Sequence, residues 1–332
     1  MRQRSDWRQQ NRSPGRQDCS SAEDEISFGF GKTSSVWNAQ KTFGQWRLEN
    51  AARLDNPSIY RLVLKYLGAD CGARAGICAG GENRIEHGKD FSEEEPFMKP
   101  QEWRQKLGDC VRDLFQSPEM EQFYSVPMTQ RRAQIYLLQL SLYVRKRRDF
   151  WPQVAANCPE FEVKQRIMSH EYEELIEDEH SKHGHLDLIF RQGKEVALSV
   201  DDILAAEPLP TTTAAIYAWW WIARNRTWQE AIAASTIAEW TNDDRLLGDL
   251  GGGNCTRLYK NWKRDLNFTD AQMPNFTAHS IADVKHSDMF IDVLEKYVAP
   301  GREQDVLKTA KESMDIHRAY FGGMAQAMEK AS

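Results

Sequence analysis

From residue 100 onward, apolar positions recur every three or four residues, the spacing of one buried helix face. Trp103, Leu107, Cys110, Val111, Leu114 and Phe115 mark the first such face. Thr129 is placed to cap a long helix through Tyr136, Leu137, Leu140, Tyr143 and Val144, which ends near Cys158-Pro159. A further helix is predicted over residues 162–179. Ser199-Val200-Asp201-Asp202 reads as a capping box opening a short helix, and Leu209-Pro210-Thr211 precedes a fourth long one. That helix holds Trp219-Trp220-Trp221 and is apolar all round, which predicts a buried central position. Residues 227–240, 254–266, 275–298 and 301–328 complete the set. The one departure from helical periodicity is a short strand predicted near residues 194–200. The expected fold is all-α, a bundle of about seven helices.

Residues 1–100 follow another pattern. They carry Gly29-Phe30-Gly31-Lys32-Thr33, Cys71-Gly72-Ala73-Arg74-Ala75-Gly76 and Gly80-Gly81, with one helical stretch near residues 58–67. The phosphate-loop reading of Gly31-Lys32-Thr33 fails because the first glycine of that motif would fall at Ile26. The predicted organisation is therefore a partly disordered, irregular extension over 1–100 and a helical domain over 101–332.

Composition narrows the function classes. The chain has 332 residues, 43 Lys and Arg against 49 Asp and Glu, and a formal net charge of −6, which gives no global attraction to nucleic acid or anionic lipid. The only dense basic run is Arg145-Lys146-Arg147-Arg148, read as an exposed helix end. No stretch of about 18 apolar residues occurs, and the first residues lack a signal peptide's apolar core, so a cytoplasmic protein that binds neither nucleic acid nor membrane is expected. Six cysteines without C-x-x-C spacing predict reduced thiols. Cys71 and Cys78 alone make a poor zinc site.

Histidines and carboxylates gather in two windows. In His279-Ser280-Ile281-Ala282-Asp283-Val284-Lys285-His286, positions 279, 283 and 286 fall within about 60° of one another on a helix. Phe290, Val293, Leu294 and Tyr297 continue the same sector, so the triplet reads as inward-facing, against the alternative of a solvated polar stripe. The earlier window runs over residues 168–185 and is mostly a solvated acidic face. Glu174, in the apolar stripe of Val163 and Ile167, and His185, which opens a returning apolar segment, are its inward candidates. Glu177 and Asp178 are the rival carboxylates. Glu239 stands alone at the end of the apolar run from Ala231 to Ala238, where an unpaired carboxylate is costly unless it meets a cation.

In this order, a Glu with a downstream His, an isolated Glu, and His-x-x-x-Asp-x-x-His, these residues resemble the haem-oxygenase-like diiron oxidases and oxygenases. The resemblance covers roughly residues 105–300 and implies a haem-oxygenase-like helical fold. It also implies two Fe(II) per chain, with manganese as a substitute, held by Glu174, His185, Glu239, His279, Asp283 and His286. Three imidazoles and three carboxylates are a mixed nitrogen and oxygen set that suits Fe(II) and offsets most of its charge. The implied activity is oxygen-dependent oxidation of a small amine- or carboxylate-bearing metabolite, by N-oxygenation, desaturation or carbon–carbon cleavage, in biosynthesis. Its partners are the substrate and dioxygen, and it admits an external reductant and a homodimer. Trp219 to Trp221 with Tyr217 are expected to wall the site, and Tyr143, Arg145 and Arg148 to meet a substrate carboxylate. Two other readings stand beside this one: a metal-independent cofactor-biosynthesis oxidase or hydrolase of the same fold, and a non-enzymatic helical adaptor. Haem oxygenase itself is disfavoured, because residues 103–148 contain no His for a proximal ligand.

Overall fold

The computed structural model describes residues 98–331, apart from the side chains of residues 280–284. The predicted extension, its helix at 58–67 and the Cys71/Cys78 pair lie outside the described residues.

Helices begin where local chemistry serves the free N–H groups of their first turns. Proline opens α1 (Pro100–Phe115) and α2 (Pro118–Ser125), and the Ser117 hydroxyl accepts from Met120 N at the start of α2. Thr129 caps α3 (Gln130–Asn157) as predicted, accepting from Arg132 N at 3.3 Å. Then follow α4 (Phe161–Leu175), α5 (His185–Glu195), α6 (Val200–Leu204) behind the Ser199 capping box, α7 (Pro210–Asn225) and α8 (Trp228–Thr236), capped reciprocally by Thr227 and Glu230. A 3₁₀ turn, Glu239–Asn242, leads into α9 (Asp244–Leu247), α10 (Asn254–Asp265), α11 (Pro274–Asp288), α12 (Ile291–Tyr297) and α13 (Glu303–Lys330). Eight of these helices run eleven residues or more.

The described chain is all-α, and α3 and α13, at 28 residues each, are its longest helices. α13 packs on α8, α2, α7 and α1, while α3 lies against α7, α4 and α5. Tyr136, Phe123, Trp262 and Phe276 pack ring against ring as a buried aromatic core. No helix among the described residues is long and apolar enough to cross a membrane.

Four expectations are corrected. The strand near 194–200 is absent. α5 runs to Glu195, Leu198 N closes back on Gly193 O, and α6 begins at Val200, so this apolar stretch is a helix-to-helix turn. The helix expected over 275–298 is two, broken at Met289 and Phe290, where Phe290 leaves helical geometry at φ −119°, ψ 7°. The tryptophan run is not buried all round: Trp219 is buried, Trp220 and Trp221 are half-buried, and Tyr217 is 52% exposed. Among the described residues, α7 is covered by α3, α13 and α8. The basic run is not a solvated end either, since Arg147 and Arg148 turn inward from α3 while Lys146 stays exposed.

Candidate metal centre

Four elements bring the site together: α4, the start of α5, the 3₁₀ turn after α8, and α11. On α4, Val163, Ile167, His170, Glu171 and Glu174 are the buried residues, so the helix carries its polar groups inward along the stripe that its valine and isoleucine begin. α4 stops at Leu175, and the chain returns through residues 176–184. Gly184 permits this return. A Cβ there would lie 2.6 Å from the Leu175 carbonyl oxygen, too close for any side chain. Asp178 is buried, but its carboxylate belongs to the loop, where Oδ1 accepts from His180 N at 2.9 Å and Ser181 N at 2.7 Å. Glu177 is exposed. Neither rival faces the cluster of ligand atoms.

The turn that presents Glu239 is pinned to α11. Trp240 Nε1 donates to Ser287 O at 2.7 Å, and Ser287 Oγ donates to Asp243 Oδ2 at 2.8 Å. Arg245 ties Asp243 to Asp288.

His170, Glu174, Glu239 and His286, all buried, each offer one ligand atom, and these atoms lie within 4.8 Å of one another. Glu174 is the hinge of the site. Its Oε1 faces His286 Nδ1 at 3.6 Å and His170 Nε2 at 3.8 Å, while Oε2 lies 2.9 Å from His185 Nδ1. The His185 ring in turn stands 4.2 Å from that of His279. Glu174 therefore lies between two groups of imidazoles, His170 with His286 and His185 with His279. Of the six residues predicted, Glu174, His185, Glu239, His279 and His286 are drawn into this one region. The Asp283 side chain lies outside the described residues. His170 was not among those predicted.

The outer partners of the imidazoles decide which nitrogen faces inward. Glu171 Oε1 sits 3.2 Å from His170 Nδ1, and Glu173 Oε2 accepts from His286 Nε2 at 2.9 Å. Each ring thus keeps its other nitrogen toward Glu174, the carboxylate–histidine arrangement that orients metal ligands. The bond from His286, helped by Lys285, holds the Glu173 carboxyl down to about 2. For Glu174, burial favours the neutral acid, but His185 and Arg148 outweigh it and hold the carboxyl well below its usual range. Glu173→Gln is expected to weaken iron binding ten- to a hundredfold while leaving the fold intact, as read by anaerobic titration and circular dichroism.

Two arginines compensate the carboxylates. Arg147 donates to Glu239 Oε1 at 2.6 Å, and Arg148 Nη1 lies 3.0 Å from Glu174 and 3.1 Å from Glu171. Arg147 also donates to the Tyr143 hydroxyl at 2.7 Å. That hydroxyl lies 3.3 Å from His317 Nε2, whose ring holds the Ser313 carbonyl at 2.8 Å through Nδ1. Burial drives the His317 imidazole down to about 3, so it is neutral and Nε2 accepts from Tyr143. None of Arg147, His317 and Glu171 was singled out in the sequence. Arg148, assigned to a substrate carboxylate, is engaged by Glu171 and Glu174, and Arg145 donates to backbone carbonyls of α6.

The donor set fits a metal ion. The Nε2 atoms of His170 and His185 are buried and make no hydrogen bond, and both belong to rings at Glu174. A buried polar atom left unpaired is unfavourable, whereas a cation among them would use both lone pairs. Beside this cluster opens a cavity of about 70 Å³, whose lining includes Glu174, Glu239, His279, Arg148, Tyr136 and Tyr320.

Residues 134–318 match a family model described as iron-containing redox enzyme. No curated protein matches the sequence. Among solved structures, the chain is similar to a domain of unknown function with a heme oxygenase-like fold from Shewanella denitrificans. That match has a TM-score of 0.57 at 17% identity and covers 70% of this chain and 94% of the other. A TenA homologue from P. horikoshii aligns with a TM-score of 0.52 at 12% identity over 69% of this chain and 98% of that one. A CADD-like protein of unknown function from Nostoc punctiforme aligns with the same score and identity over 69% and 97%. At these identities the likeness shows the fold, which is haem-oxygenase-like as the sequence predicted.

Proposed function

The chain belongs to the family of iron-containing redox enzymes, and from that premise we propose that it is a nonhaem diiron oxidase or oxygenase acting on a small amine- or carboxylate-bearing metabolite. The observation that carries this reading is the position of Glu174 between two pairs of imidazoles, with Glu239 completing one side. Glu174, Glu239, His170 and His286 would hold one ion, and Glu174, His185 and His279 the other, with Asp283 a further ligand from α11. Two ferrous ions, when bound, supply two electrons to dioxygen.

The chain's own residues prepare the site for that chemistry. Glu171 and Glu173 fix the orientation of His170 and His286. Arg148 helps to hold Glu174 ionised and also meets Glu171, while Arg147 pairs with Glu239. The Tyr143 hydroxyl, held by Arg147 and His317, keeps the Arg147 guanidinium turned toward Glu239. The small, mainly apolar cavity limits the water that reaches the reacting group.

The test is anaerobic Fe(II) titration of the full chain, followed by oxygen. Binding should saturate at two ions per chain, and oxygen uptake should follow the oxidation of the bound iron. Saturation at one ion would reduce the site to a mononuclear one, and no stoichiometric binding would refute the reading in favour of a metal-independent enzyme of this fold.

A further inference from the structure

The cavity beside the cluster carries two polar groups that nothing in the described protein serves. Asn275 is 1% exposed; its backbone N–H donates to Gln192 Oε1 at 3.1 Å, while its side-chain Oδ1 makes no hydrogen bond. Tyr320 is also 1% exposed, and its hydroxyl likewise has no partner. Both side chains line the cavity. Asn275 precedes His279 by one turn of α11, and Tyr320 follows His317 by about one turn of α13. Each thus stands one turn from a residue of the site.

Two other polar groups of the lining are satisfied. The Tyr143 hydroxyl is shared between Arg147 and His317, and Asn254 Oδ1 accepts from Tyr124 at 3.0 Å. A buried polar atom costs stability when unpaired, so a fold that leaves two of them on residues lining one cavity has groups ready for whatever enters it. An amide oxygen accepts, and a phenol both donates and accepts. Their common complement is a heteroatom with an N–H or O–H bond and a lone pair. Leu140, Val144, Ala238 and Phe321 offer only apolar surface to the rest of such a molecule.

We propose that Asn275 and Tyr320 form a polar subsite that binds the amine or alcohol group of a short aliphatic substrate. This deepens the reading of the cavity as the substrate site of an iron enzyme and rests on it. Asn275 accepts the substrate's N–H or O–H, and Tyr320 donates to the lone pair of an alcohol, or of an amine that has released its extra proton to solvent on entering the site.

The experiment uses the full chain with three probes, butylamine, 1-butanol and butyrate. Binding is followed by ligand-observed NMR and stability by thermal melting, for wild type, Tyr320→Phe and Asn275→Leu. The expected result is saturable binding of butylamine or 1-butanol to wild type, weakened at least about tenfold in both variants, with butyrate no weaker than before. The amine and alcohol arms identify which head group is preferred. Both variants should melt at or above the wild-type temperature, because each removes an unpaired buried group. Failure of butylamine and 1-butanol to bind wild type overturns the proposal, as does a lower melting temperature with probe binding unchanged, or equal weakening for butyrate. Iron content is measured on the same samples. Absence of iron binding with the probe results as expected would defeat the diiron reading and leave the subsite standing.

Discussion

Glu174→Ala is expected to abolish stoichiometric iron binding at both positions, lowering affinity at least a hundredfold, or about 2.7 kcal/mol. Among the described residues, Glu174 is the carboxylate that meets both His170 with His286 and His185. Oε1 points toward His170 and His286, and Oε2 toward His185, so its removal takes an oxygen donor from each side. Among the described residues Arg148 would keep Glu171 alone as a counter-ion, which adds a cation's repulsion to the lost ligand. Glu174→Gln preserves volume and one oxygen donor while removing the charge and the second oxygen, so it should keep iron at no more than one of the two positions. Asp178→Ala is the contrasting variant. Its carboxylate caps the loop after α4, so it should lower the melting temperature by a few degrees while iron stoichiometry persists. Iron content by anaerobic titration, with melting curves of the same samples, ranks the three. An Asp178 variant that loses iron while Glu174→Ala retains it would reverse the assignment.

Helices were legible wherever periodicity and caps agreed. Thr129 and Ser199 serve as N-caps because their hydroxyls have backbone N–H groups within reach, a local fact that sequence spacing states. What periodicity could not state is which covered face has a neighbour. The run Trp219-Trp220-Trp221 promised burial all round, but α7 packs against α3 and α13 and leaves Tyr217 outside. The break at Phe290 was hidden for the same reason: Phe290, Val293 and Leu294 are all buried, so the apolar pattern continues through a change of direction.

The candidate site was legible where a polar group interrupts an apolar stripe. Glu239 after Ala231 to Ala238 is such a case, and so is Glu174 in line with Val163 and Ile167. His170 shares that stripe, within about 20° of Val163 by helical phase, and the same rule would have selected it. The acidic run around it reads as a solvated face and hides it. Arg147 and Arg148 were unreadable for a different reason. A basic run at the middle of a long helix is ordinarily solvent-facing, and only the fold of α4 and the 3₁₀ turn against α3 reveals the carboxylates that draw two of its members inward. The pairing of Tyr143 with His317 spans 174 residues and leaves no local mark at all.

The second large effect concerns Arg147, and it depends on the metal. In the iron-free protein Arg147→Met should cost about 3–5 kcal/mol of stability, because it takes the guanidinium away from the buried Glu239 carboxylate. The guanidinium now meets Glu239 at 2.6 Å, the Ser235 carbonyl at 3.1 Å and the Tyr143 hydroxyl at 2.7 Å, all of which the thioether forfeits. With Fe(II) bound, the cation takes over compensation of Glu239, so the same substitution should cost markedly less. Urea denaturation of wild type and variant, each iron-free and iron-loaded under anaerobic conditions, gives the four free energies needed. A second substitution, Glu239→Gln, should recover part of the loss in the iron-free variant, since the buried charge is then gone. An equal cost with and without iron would mean that no cation meets Glu239, and would remove that residue from the ligand set while leaving Glu174 and the histidines in place.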